Sequence, residues 1–201
     1  MTKLVRGATI GVALALMPGL AAAHVGITGL GGFWNGFLHP LLTPSHVLLL
    51  VSMGLLLGTR EQHAASRALS VFLAATCAGL FVAGLKGRFV DLVTPLLVAA
   101  AVLGILAAWR PRLPDVLTFV IAAVCGLTLG VDSTQETYAG KDLIVALFAT
   151  GLAVFLAMLY LLAAVEFLHR YRWLSVGVRV LGSWIAASAL IVLTLQFAPK
   201  G

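Results

Sequence analysis

Two histidines seven residues apart, His39 and His46, stand in the run GFLHPLLTPSHVLLL (Gly36 to Leu50), with Pro40 and Pro44 between them. Imidazole nitrogens suit nickel, copper and zinc, so the chemistry open to this pair is transition-metal binding. His24 adds a third imidazole upstream, and Asp132, Cys125 and Asp91 are further residues of ligand type inside or beside apolar segments. On a straight helix His39 and His46 would share a face but lie about 10.5 Å apart along the axis. Reaching one ion at about 2.0–2.1 Å from each nitrogen would then be awkward. The prolines change this. Thr43-Pro44 reads as a helix start, because Thr can cap and Pro suits the first helical position, and a break there lets the two imidazoles turn toward each other. The alternative is structural: His39 satisfies a carbonyl and His46 makes an interfacial hydrogen bond.

The elements that must position these residues are membrane helices. The chain has 201 residues, of which 61% are hydrophobic and 10% charged, and its mean hydropathy is +1.09. These values lie outside the range of ordinary soluble domains and predict an all-α integral membrane protein. The net charge of +6 does not imply nucleic acid: the basic residues sit singly or in pairs at the ends of apolar runs, the pattern of membrane topology. Cys77 and Cys125 lie within apolar runs without CxxC spacing, so no disulfide framework is expected.

Residues 1–23 read as a signal peptide, with Lys3 and Arg6 before an apolar stretch and Ala21-Ala22-Ala23 as the cleavage site. Cleavage there leaves His24 first, its free α-amine beside its imidazole. Residues 24–201 then form a single transmembrane domain with six apolar segments, at 30–58, 66–85, 89–109, 114–131, 143–168 and 173–197. Most approach the ~20 residues that cross ~30 Å of hydrocarbon as a helix. The first is broken: Pro44 to Gly58 is about 22 Å of helix, too short to span alone, so GLGGFWNGFLHP must supply the remaining depth. Such breaks are tolerated where protein or water covers them, and transporters use them as binding sites. The bias of Arg and Lys places Arg60, Arg67, Arg110 and Arg112 in the cytoplasm. His39, His46 and the stretch from Asp132 to Asp142 then face outward, with the mature N-terminus outside a bacterial inner membrane.

Asp91 is expected at a depth similar to that of the histidines. Glu166 and Arg179 are expected at comparable depths near the inner ends of the last two spans, as an ion pair joining them. Gly54/Gly58 and Gly126/Gly130 are small-xxx-small patterns that imply close helix packing. No Walker, G-x-S-x-G or H-E-x-x-H motif is present, so an enzyme is not expected. Ser45 and His46 are adjacent on a helix and face different directions, which removes a nucleophile–base reading.

The stretch around the two histidines resembles the HupE/UreJ family of membrane proteins associated with nickel supply to hydrogenases and ureases. The family pattern runs H-x-G, then G-F-x-x-G-F-x-H-P-x-x-G-x-D-H-x-L-A-M. Here it reads His24-Val25-Gly26, then Gly32-Phe33-Trp34-Asn35-Gly36-Phe37-Leu38-His39-Pro40-Leu41-Leu42-Thr43-Pro44-Ser45-His46 onward, without a gap. Thr43 replaces a glycine and Ser45 an aspartate. A second pattern, H-G-x-A-H-G-x-E, aligns with Cys125-Gly126-Leu127-Thr128-Leu129-Gly130-Val131-Asp132, so the histidines become Cys125 and Leu129 and the acid becomes Asp132. The resemblance implies transport or delivery of nickel or cobalt, with His39, His46 and His24 as ligands and Asp132, Cys125 and Asp91 as further candidates. The altered ligands make copper a further candidate. Expected partners are the lipid bilayer, the ion, and a metalloenzyme or its assembly proteins, with no nucleic acid and no tightly bound cofactor. The second reading is a non-transporting accessory protein.

Overall fold

The computed structural model describes residues 29–86, 91–134, 137–169 and 174–197, which form helices without strands. In chain order the helices are α1 (Gly32–Leu42), α2 (Pro44–Gly58), α3 (Gln62–Lys86), α4 (Val93–Trp109), α5 (Asp115–Asp132), α6 (Gly140–His169) and α7 (Leu174–Gln196). The signal-peptide segment and His24 lie outside the described residues.

Helices α3, α5, α6 and α7 are long and apolar enough to cross a membrane, and α1 with α2 passes the same test as a pair bent by 64°. Of the six spans expected, the described residues thus supply up to five: four helices and the bent pair. The remaining segment, α4, is apolar but has 17 residues, about 25 Å of helix, short of a full ~30 Å crossing. Large apolar side chains such as Phe81, Leu85, Phe148 and Trp184 are exposed on the outside of the bundle, where lipid rather than water is the compatible solvent.

Proline chemistry explains the bend. A residue before proline is pushed out of the α region, and Thr43 accordingly has φ −78°, ψ 115°. Pro44 follows at the first position of α2, where its missing N–H costs nothing. Thr43 occupies the capping position without making a side-chain cap bond, so backbone restriction ends α1 here, and a hydroxyl cap does not start α2. Pro40, inside α1, cannot donate to the carbonyl of Gly36. The Thr150 hydroxyl on α6 donates to that carbonyl instead, at 2.8 Å.

The bent pair lies along α6. Gly32 packs on Asp142, Gly36 on Ala146, Gly54 on Leu161 and Gly58 on Val165, so α1 and α2 together cover the stretch covered by one continuous helix. A Cβ on Gly36 would stand 2.1 Å from the Ala146 carbonyl oxygen, so only glycine permits this approach. Helices α3 and α5 run parallel and meet through Gly126 and Gly130, where a Cβ would lie 2.3 Å from Phe72 O and 2.4 Å from Thr76 O. Helices α4 and α7 run antiparallel, with Gly104 against Gly182. These contacts fulfil the close packing expected of the glycine patterns.

Helix α2 is hydrophobic on all sides and is buried accordingly. Leu49, Leu50, Met53, Leu56 and Leu57 sit in one core with Phe72, Leu96, Leu97 and Met158. The histidine at the start of α2 is therefore carried by the most enclosed helix of the bundle.

Candidate metal site

His46 is in the first turn of α2 and is completely buried. Its Nε2 lies 2.8 Å from Oδ2 of Asp132, the last residue of α5, which is also fully buried. The other carboxylate oxygen, Oδ1, accepts the backbone N–H of Leu92 at 2.7 Å. Both carboxylate oxygens accept, so in the neutral imidazole Nε2 carries the donated proton and Nδ1 keeps its lone pair. That Nδ1 is buried and has no hydrogen-bond partner. The same is true of the hydroxyl of the neighbouring Ser45. Buried polar atoms without partners are uncommon in native proteins, and here two occur on consecutive residues.

His39, near the end of α1, is also buried. Its ring centroid is 5.1 Å from that of His46 and the planes are nearly perpendicular, at 85°. The bend at Thr43 brings together imidazoles that a straight helix would hold about 10.5 Å apart along its axis. An ion about 2.0–2.1 Å from a nitrogen of each ring stands about 3.2 Å from each centroid, so rings at this separation subtend roughly 105° at it, close to a tetrahedral angle. The carboxylate on the far nitrogen of His46 fixes tautomer and ring orientation, as carboxylates do for metal-binding histidines.

The remaining sequence candidates fall elsewhere. Cys125 is buried in the apolar core with Leu129 and Ala122, two helical turns before Asp132 on α5. Asp91 is exposed, and its carboxylate accepts the N–H of Val93 at 3.0 Å, closing the backbone just before α4. Among the described residues no three His, Cys, Asp or Glu side chains are grouped to hold an ion; His24 is outside them. Above the histidines, Asn35 donates to the Leu30 carbonyl at 2.9 Å and to the hydroxyl of Tyr138, which ties α1 to the segment before α6.

The chain matches the family described as HupE / UreJ protein over residues 12–192. It belongs to the HupE/UreJ family. The match takes in the bent pair, the His46–Asp132 contact and every helix but the last turn of α7. Protein HupE of Rhizobium leguminosarum bv. viciae is 29% identical over 123 residues, which is 61% of this chain and 63% of that protein. The aligned part thus spans less than two thirds of that relative. No solved structure matches. In this HupE/UreJ chain Ser45 stands beside His46 where the family pattern has an aspartate, and the carboxylate that reaches His46 comes from Asp132 instead.

The pairing of Asp132 with His46 was not read from the sequence, which put Asp132 at the head of an exterior loop. Its alignment with the family's acidic position was the one available signal. The expected Glu166–Arg179 pair is not formed. Arg179 Nε donates to the Ala108 carbonyl at 3.0 Å, because α7 packs on α4 through Gly104 and Gly182 and turns that face away from α6.

Proposed function

We propose that this protein binds a transition-metal ion as cargo between His39 and His46 and passes it across the membrane or to a partner. The observation that carries this reading is the unpartnered Nδ1 of His46, buried beside a second imidazole while Asp132 holds the opposite nitrogen. A purely structural histidine in an apolar bundle satisfies both nitrogens; here one nitrogen is buried without a partner. Family membership supports the same reading. Nickel or cobalt is the favoured cargo, and copper follows if Cys125 or another soft donor takes part. His24, with a free α-amine after cleavage following Ala23, acts as an entry ligand.

In this proposal α4 completes a six-span domain in the bacterial inner membrane, with the mature N-terminus and the histidines at the outer end. The end carrying Arg60, Arg67, Arg110 and Arg112 is cytoplasmic, as the distribution of positive charge favours. Metalloenzymes or their assembly proteins are the recipients.

Metal content by elemental analysis tests this reading. Cells expressing wild type or the His39→Ala/His46→Ala double variant, at matched membrane levels, receive nickel, cobalt, copper or zinc separately. The expected result is accumulation of one metal in wild type that is lost in the double variant. Equal metal in both for every ion would favour the non-transporting accessory reading.

A further inference from the structure

At the end of the bundle opposite the histidines, a cavity of about 380 Å³ opens between α2, α3 and α6. This is within the range of small-ligand sites, about 300–1,000 Å³. Its lining is mixed: Arg60, Gln62, Ser66 and Glu166 are polar, and Leu57 and Leu162 are apolar. Arg60 lies two residues beyond the end of α2. Its Nη1 donates to the Pro111 carbonyl at 3.3 Å, a long bond, while its Nε and Nη2 are buried and have no partner. Nε and Nη2 form one edge of the guanidinium, the two-pronged edge that receives a carboxylate or phosphate through parallel bonds. Burial lowers the basicity of this guanidinium, and Asp115 offsets that only in part. Glu166, which also lines this cavity, takes part in no ion pair or hydrogen bond among the described residues.

A cation and an anion that form no ion pair among the described residues therefore line one small cavity at this end of the bundle. A lone free anion would meet Arg60 but would be repelled by Glu166. A zwitterion satisfies both, and the apolar lining residues Leu57 and Leu162 favour one attached to hydrocarbon. We propose that this cavity binds the headgroup of a zwitterionic phospholipid with a primary ammonium, phosphatidylethanolamine in chemical class. Its phosphodiester pairs with the Arg60 guanidinium and its ammonium with the Glu166 carboxylate. The site is independent of the metal reading and requires only that the chain lies in a membrane.

Native mass spectrometry of the full chain in detergent, titrated with phosphatidylethanolamine, phosphatidylglycerol, phosphatidylcholine or inorganic phosphate, tests the proposal. Wild type is expected to retain phosphatidylethanolamine preferentially. Arg60→Gln should weaken that retention about tenfold or more, the scale of a lost charge-assisted bidentate contact. Glu166→Gln, at an exposed position, should shift the preference toward phosphatidylglycerol, and it keeps the test decisive if Arg60→Gln does not fold. Arg112→Gln removes a charge at the same end and should leave the preference unchanged. Equal retention of all three lipids, an unchanged preference in Glu166→Gln, or an equal loss in Arg112→Gln would overturn the assignment. So would retention of inorganic phosphate without lipid preference, which would mark a soluble-anion site.

Discussion

His46 Nε2 and Asp132 Oδ2 are 2.8 Å apart, both side chains are fully buried, and 86 residues of sequence separate them. A buried pair of this kind adds little stability over a well-packed apolar one, but removing one partner strands the other, at a cost of roughly 3–5 kcal/mol. Asp132→Ala strands two groups, the Nε2–H of His46 and the N–H of Leu92. It should lower the thermal midpoint of the purified protein markedly. Adding His46→Ala to Asp132→Ala should recover part of that loss, because the stranded imidazole is gone. Strictly additive losses in a double-mutant cycle would show that the contact contributes no coupling.

Ser45 offers a test of selectivity at the same place. Its hydroxyl is buried without a partner, so Ser45→Ala should be neutral or slightly stabilising. Ser45→Asp buries a second carboxylate beside His46, which should destabilise the metal-free protein and increase the stabilisation gained on adding nickel or cobalt relative to copper(I). Thermal melts with and without each ion read both effects. A loss above about 1 kcal/mol in Ser45→Ala would give the hydroxyl a role of its own.

The approach of α1 to α6 depends on a missing side chain. Gly36→Ala puts a methyl 2.1 Å from the Ala146 carbonyl oxygen, a distance the backbone must relieve by separating the helices and with them the Thr150–Gly36 bond. Yield of folded protein should fall sharply. Gly177→Ala, in α7, meets nothing within 4 Å and should be neutral or stabilise by up to about 1 kcal/mol, the usual gain of alanine over glycine in a helix. Similar yields for the two variants, judged by size-exclusion chromatography, would refute the packing argument.

Glu166 and Arg179 sit at one end of the bundle but on faces that do not meet. A double-mutant cycle with Glu166→Ala and Arg179→Ala should therefore be additive within about 0.3–0.5 kcal/mol. Arg179→Ala alone should cost little, since its bond to the Ala108 carbonyl is exposed. A coupling energy above 1 kcal/mol would restore the ion pair expected from depth alone.

The sequence by itself determined the solvent and the local shapes. A mean hydropathy of +1.09 requires backbone groups to be satisfied within helices, and Pro44 biases Thr43 out of the helix, toward a break. The two histidines on either side of that break were legible for the same reason: the cause acts within a few residues. The glycine pairs also announced close packing, because a missing Cβ has that consequence in any bundle.

Tertiary structure decided what the local pattern leaves open. Helix faces set which groups at equal depth meet, so Arg179 reaches the α4 carbonyl instead of Glu166, and Glu166 shares its cavity with Arg60. The carboxylate for His46 comes from the far end of α5, not from the neighbouring position 45. Depth can be counted along a sequence at 1.5 Å per residue, but rotation about each helix axis is fixed by the neighbours it packs against, and a buried contact depends on both.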